Sequence, residues 1–285
     1  MRALPVQKDG KMASLKTFAV AAAALAVLAS SNVRAADLPA LLPPPIEEYG
    51  GWYLRGDIGM SNQRLKGLEH PLFETATDFV WLDKGGFDSA PFFGLGIGYE
   101  HNNWFRWDIT GEYRGKADFH ALDQFDNGGT INTNDYTGSK SEWLFLFNAY
   151  LDLGTWKSIT PFVGAGIGAT RNTISHFKDT NVIGGAGGFA DTGSKWDLAW
   201  ALYAGLSYEV TPSFTVEFAY RYLNLGDAKT GDFRNDDPGV GCQVTPPCFP
   251  VQFKGITSHD IKFGVRWMLA DMGVSHWQPP IVTKY

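Results

Sequence analysis

Cysteine is nearly absent, with two in 285 residues. A multi-disulfide scaffold and a cysteine-rich metal module are both excluded. Long apolar runs are missing too. Past the first 30 positions no stretch reaches the roughly 18 apolar residues that a membrane-spanning helix needs. A helical membrane protein is therefore excluded. Charge is sparse, at 19% of residues with a net of −6 and no basic stripe, so nucleic-acid binding has no support. The six histidines are His70, His101, His120, His176, His259 and His276. None sits at metal-ligand spacing or in a G-x-S-x-G context, so no catalytic, metal or cofactor site is assigned. A Ser–His pair assembled between outer loops is the one enzymatic arrangement left open.

What the chain does have is alternation. His259 to Leu269 reads HDIKFGVRWML. Ile261, Phe263, Val265, Trp267 and Leu269 fall on one face. Asp260, Lys262, Gly264, Arg266 and Met268 fall on the other. Similar segments of about 10–15 residues recur eight times, the signature of a membrane β-barrel. The mean hydropathy of −0.16 fits, because alternation averages it away.

In chain order the expected strands are 51–61, 89–100, 104–114, 140–153, 161–171, 195–210, 214–224 and 259–269. The polar stretches between them (62–88, 115–138, 172–194 and 225–254) are expected as long loops, separated by short turns of about 3–7 residues. Long and short connections alternate. The predicted fold is all-β: an eight-stranded antiparallel transmembrane barrel, residues 51–269, with four long external loops and short periplasmic turns. A soluble barrel of the lipocalin type would alternate in the same way but bury its apolar face. Three features favour the membrane form. The apolar faces are crowded with large aromatics near strand ends. The polar faces carry Gly94, Gly96, Gly98, Gly164, Gly166 and Gly168, which make room in a narrow interior. The third feature is an export signal.

That signal occupies residues 1–35. Arg2, Lys8, Lys11 and Lys16 precede the apolar segment Phe18 to Leu28, and Val33-Arg34-Ala35 fits a cleavage site. Either Met1 or Met12 serves as the start. Residues 36–50 are then a Pro-rich periplasmic lead, and 270–285 a C-terminal tail. In an oxidising compartment Cys242 and Cys248 are expected to pair as a disulfide.

The inner face carries Arg55, Arg106, Arg114, Arg221, Lys262 and Arg266 against Asp57, Asp108, Glu112, Glu217 and Asp260, with Glu100, Glu142, Asp152, Asp197 and Glu209 added. Charges shut into a narrow barrel must pair. The expected result is an ion-pair network that plugs the lumen; a narrow solute pathway is the alternative. Phe73, Phe79, Trp81, Phe119, Phe125 and Phe249 lie in the predicted loops. They suit either a contact surface or the packing of the loops themselves.

The segments GWYLRGDIG, PFVGAGIGA, VEFAYRYLNLGD and HDIKFGVRWML resemble the opacity-type, porin-superfamily outer-membrane β-barrels of alphaproteobacteria. The resemblance runs from Gly51 to Leu269. It implies an outer-membrane location, contact with membrane lipid and lipopolysaccharide, and insertion by the barrel-assembly machinery. It also implies a range of roles: a structural envelope protein first, with a narrow porin, a surface adhesin or a haemin binder as alternatives. Related barrels whose mature chain begins Ala-Asp can be tethered to peptidoglycan through that end. Ala36-Asp37 matches, and the Pro-rich lead supplies reach. Unlike many barrels, this chain continues past its last strand, from Ala270 to Tyr285.

Overall fold

The computed structural model describes residues 50–269, apart from 76, 127, 240, 245 and 246. The export signal, the lead with Ala36 and Asp37, and the C-terminal tail lie outside the described residues. Eleven strands form one antiparallel sheet: β1 (Gly51–Arg64), β2 (Gly67–Glu69), β3 (Thr77–Phe87), β4 (Ala90–Glu100), β5 (Phe105–Asp126), β6 (Ile131–Asp152), β7 (Ile159–Asn181), β8 (Gly187–Ala190), β9 (Gly193–Thr211), β10 (Phe214–Asn235) and β11 (Pro250–Met268). One short helix, α1 (Pro71–Thr75), follows β2. Among the described residues no helix is long and apolar enough to cross a membrane.

Eight strands close the ring in the order β1, β4, β5, β6, β7, β9, β10, β11 and back to β1. Closure satisfies every ladder edge, which a sheet immersed in lipid requires. The chain enters at Gly51, opposite Glu100 and near Met268. The short connections after β4, β6 and β9 lie at this same end. The first of these turns is set by Asn102, whose Oδ1 accepts from the Trp104 and Phe105 amides at 3.1 and 2.8 Å.

At the other end the strands run far past the predicted boundaries. β5, β6, β7 and β10 each have 22 or 23 residues, about twice what a bilayer crossing uses. The stretches 115–126, 131–138, 172–181, 225–235 and 250–258 are therefore strand, not loop. They carry the barrel wall outward as an extension. β8 pairs with both β7 and β10 and fills the wall above β9. β3 pairs with β5, and β2 with β11, but no ladder joins β2 to β3 among the described residues. The extension thus has one seam without a backbone ladder among the described residues.

A ring of β-bulges marks where band and extension meet. Each inserts an extra residue and flips which parity faces inward. In β5 the pairing jumps between Arg114 and Ala117, so Arg106 to Arg114 face in on even numbers and Ala117 to Asp123 on odd ones. β7 shifts at His176 (φ 55°), β10 at Gly226 (φ 65°) and β11 at Gly255 (φ 60°).

The outward face of the band is apolar and open. Leu54, Ile58, Phe93, Leu95, Phe147 and Phe218 are among its exposed side chains. Near the short-turn end Trp52 meets Tyr99 and Trp107 at ring separations of 5.3 and 5.7 Å. Near the other end Trp200 meets Tyr222 at 5.5 Å. Aromatics flanking an apolar band on both sides are the interfacial girdles of a membrane barrel.

Candidate functional site

Two interiors lie within the wall. The lower one, inside the apolar band, is filled with charge. Seven buried cations (Arg55, Arg106, Arg114, Lys140, Arg221, Lys262 and Arg266) meet seven buried carboxylates (Asp57, Asp108, Glu112, Glu142, Asp152, Glu217 and Asp260). Nearest the short turns, Arg106 Nε donates to Asp152 Oδ2 at 3.0 Å, and its guanidinium lies 4.3 Å from the Tyr150 ring centre. Its Nη2 is 3.1 Å from Glu217 Oε1, an ion pair without hydrogen-bond alignment. Arg266 ties Glu217 to Glu100 at the rim.

Higher up, Arg55 grips Asp57 through two 2.9 Å hydrogen bonds and reaches Asp108 and Glu217. Lys262 bridges Asp57 at 3.1 Å to Glu112 at 3.6 Å. Arg221 forms a fork on Glu112 with two 2.7 Å bonds and adds Asp260 at 2.9 Å. Arg114 forms the matching fork on Asp260 at 2.8 and 2.9 Å and reaches Glu142 at 2.7 Å. Lys140 completes the column on Glu142 and Gln63. Forked pairs of this kind are the strong form of the charged hydrogen bond.

Glycines on the inner face create the necessary space. An added methyl at Gly98 would run into the Tyr53 ring, and one at Gly164 into Tyr150. The void beside Arg55, Tyr150 and Lys262 measures about 10 Å³. One water needs roughly that much.

All eleven lumen residues proposed from sequence come together in this cluster. Two of the added carboxylates do not. Glu209 is exposed at the short-turn rim, one residue pair past the closed interior. Asp197 pairs with Lys195 at 2.8 Å beside the Gly226 bulge, where it also accepts from the Asp227 amide at 2.9 Å. Sequence reading missed Lys140 and Gln63. Lys140 has the same parity as Glu142 on β6, and that spacing was the available signal.

The upper interior, within the extension, is made of rings. Phe119 is 5.0 Å from Phe253 and 5.4 Å from Phe87. Phe73 stacks on Phe79 at 5.4 Å and meets Trp81 at 5.3 Å. Five of the six predicted loop aromatics thus lie in or beside the extension's core, while Phe249 is exposed. Cys242 and Cys248 are joined by a disulfide across the last loop.

Above this packing lies a cavity of about 190 Å³, walled by Phe73, Phe79, Phe125, Tyr136, Phe177 and Phe233 and by the polar side chains of His70, Asp123, Asn134 and Asp179. Asp123 accepts from the Tyr136 hydroxyl at 2.5 Å and the Asn134 amide at 3.1 Å. Burial nevertheless raises its carboxyl above the usual range. Asp179 Oδ1 is closed to solvent and has no hydrogen-bond partner among the described residues. Burial, with Asp123 and Asp236 as charged neighbours, pushes the Asp179 carboxyl up to about 7. His70 accepts from the Leu72 amide through Nδ1 at 3.3 Å, and its Nε2 lies 3.3 Å from the Phe249 carbonyl. Burial lowers its pKa, so the ring is neutral, with its proton on Nε2 facing that carbonyl. No group of three His, Cys, Asp or Glu is placed to hold a metal among the described residues.

A closed antiparallel barrel with an apolar belt, aromatic girdles and a charged interior defines a bilayer-spanning protein of the bacterial outer-membrane type. The sequence comparisons agree. The model of the outer membrane protein beta-barrel domain matches residues 20–245, and the chain belongs to that family. It is an outer-membrane protein, in contact with that membrane's lipid. An uncharacterized protein of Brucella abortus is 27% identical over 266 residues, covering 83% of this chain and 93% of the relative. The outer membrane protein PagN of Salmonella typhimurium is 26% identical over 47% of this chain and 56% of its own. A candidate adhesin of Rickettsia prowazekii is 27% identical over 63% of this chain and 74% of its own. Among solved structures, neisserial surface protein A aligns at 17% identity over 78% of this chain and all of that chain, with a TM-score of 0.42.

Proposed function

We propose that the protein is a structural barrel of the outer membrane, a plugged cylinder that reinforces the envelope and carries a stiff extension above its surface. One observation supports this best: the lumen charges interlock through buried ion pairs from Asp152 up to Lys140, with forks at Asp57, Glu112 and Asp260, and leave a void of about 10 Å³. An ion crossing the barrel would have to break several buried pairs at once, each costly to separate. Single-channel recording of the refolded protein tests this. A silent bilayer is expected, with folding checked by heat-modifiable gel mobility. Reproducible steps that change on neutralising Arg106 would overturn the plug and favour a narrow pore.

Tethering to peptidoglycan through Ala36-Asp37 is part of the same proposal, because a wall link would turn the barrel into an anchor. Muropeptide analysis should find a wall fragment on Ala36, and unmodified Ala36 throughout would remove this element. Delivery by the barrel-assembly machinery belongs to the proposal as well. A second reading, a surface adhesin, is favoured by exposed apolar side chains on the extension, including Leu82, Val182, Ile183 and Phe249. Some relatives are named as adhesins. Whole-cell binding that is lost on trimming residues 182–186 would bring this reading forward.

A further inference from the structure

We propose that the outer chamber binds a small organic ammonium ion with an aromatic body, its cation seated on Asp179 and its ring among Phe73, Phe79 and Phe125. The proposal rests on the chamber's chemistry and is independent of whether the lumen conducts. A buried carboxylate oxygen without a partner is an expensive feature for a rigid wall to keep. Asp179 Oδ1 is such an atom, and the Asp179 side chain to which it belongs lines a cavity. The charges nearest to it, Asp123 and Asp236, are negative and add to its cost. Tyr136 and His70, on the facing elements, are neutral, and no Lys or Arg lines the chamber among the described residues. A positive group is what this arrangement lacks.

The remaining walls are aromatic faces, whose quadrupoles attract cations and accept a flat apolar body. Size narrows the class further. The chamber holds about 190 Å³, and a dry cavity of about 150 Å³ takes one benzene. A single-ring amine fits; a peptide or a glycan does not. Access exists from outside. Leu72 is exposed, Phe73, Phe79 and Phe125 are half-buried, and no backbone ladder seals β2 to β3 among the described residues.

The test uses the full chain refolded in detergent and phenethylamine as probe, followed by calorimetry. One-to-one binding is expected at about pH 8, weakening toward about pH 5.5 as Asp179 takes up a proton. The neutral isostere 2-phenylethanol should bind at least about tenfold more weakly, since a charge-assisted hydrogen bond is lost. That comparison needs no variant. Asp179→Asn should weaken the amine by a similar factor while the gel-mobility shift on heating is kept. Equal binding of amine and alcohol would mean an apolar hole and overturn the proposal. Amine binding unchanged in Asp179→Asn, or absent from the wild type at millimolar probe, would overturn it as well.

Discussion

Below the ring of bulges the barrel is filled with ion pairs; above it the same walls are filled with aromatic rings. The wall is continuous between the two, so strand geometry does not explain the change. Surroundings do. Inside the belt the outward face must be apolar for lipid, which leaves only the inward face for polar residues. The interior then holds charge and must neutralise it internally. In the extension the outward face meets water. The polar side chains move outside, and the interior can be an ordinary hydrophobic core built from Phe87, Phe119, Phe177 and Phe253. The bulges at 115–116, His176, Gly226 and Gly255 make the exchange possible, because each flips the parity of its strand.

The largest expected effect comes from the charged interior. Arg221→Met takes the forked partner from Glu112 and one of two arginines from Asp260, in a closed space. Removing one member of a buried pair costs about 3–5 kcal/mol, and Glu112 keeps only the longer contacts to Lys262 and Arg114, at 3.6 and 3.9 Å. Urea titration of the folded, heat-modifiable band should show the loss. Stability within 1 kcal/mol or so of wild type would mean that water enters and solvates the carboxylates, and the plug would fail as a description.

Phe253→Ala addresses the aromatic interior. Cutting a buried Phe to Ala costs about 3–5 kcal/mol. Phe253 contacts Phe87, Phe119 and Phe177, all in the extension. The damage should therefore stay above the bulges. Limited proteolysis should clip the extension while the membrane band keeps its gel shift. Equal loss of both would show that the two interiors fold as one unit.

The same comparison explains what could be read from the chain. Strand segments within the band follow one parity from end to end, so the alternation of Ile261, Phe263, Val265 and Trp267 is visible without a structure. The alternation of Ala117, Phe119, Ala121 and Asp123 is equally regular, but it starts out of phase with Arg106 to Arg114 across Gly115-Lys116. A period-two pattern cannot be followed through that flip, and the segment looks like polar loop. The lumen cluster was therefore accessible from sequence and the chamber was not. Asp123 and Asp179 come together only because two strands, each with a bulge below, aim them at one cavity. Nothing in their local sequence marks them.

Phe218→Arg sharpens the contrast between the two faces of one strand. Arg221 lies three residues away on β10, buried and fully paired, whereas Phe218 faces outward and is 55% exposed. A cation at Phe218 would sit in the apolar belt opposite Phe263 and Leu206. The cost near the bilayer midplane is about 2–4 kcal/mol, and assembled barrel in outer-membrane fractions should fall accordingly. Normal assembly would reverse the assignment of inner and outer faces.

The smallest effect is the most local. Asp179 in the folded extension holds its proton up to about pH 7, whereas an unfolded Asp releases it near 3.9. Between those values the folded state binds more protons than the unfolded one. Stability of the extension therefore falls as pH rises through this window and levels off above it. This is opposite in sign to a salt-bridged carboxylate, whose contribution is lost on acidification. Proteolysis of the extension should thus be slower at about pH 5.5 than at about pH 8, and Asp179→Asn should flatten the difference. The charged plug beneath supplies the internal reference: its carboxylates are paired, and removing Asp179 leaves every one of those pairs in place. A pH dependence of the same sign that survives Asp179→Asn would move its source to Asp123, whose carboxyl burial also raises, whereas His70, whose pKa burial lowers, acts in the opposite sense.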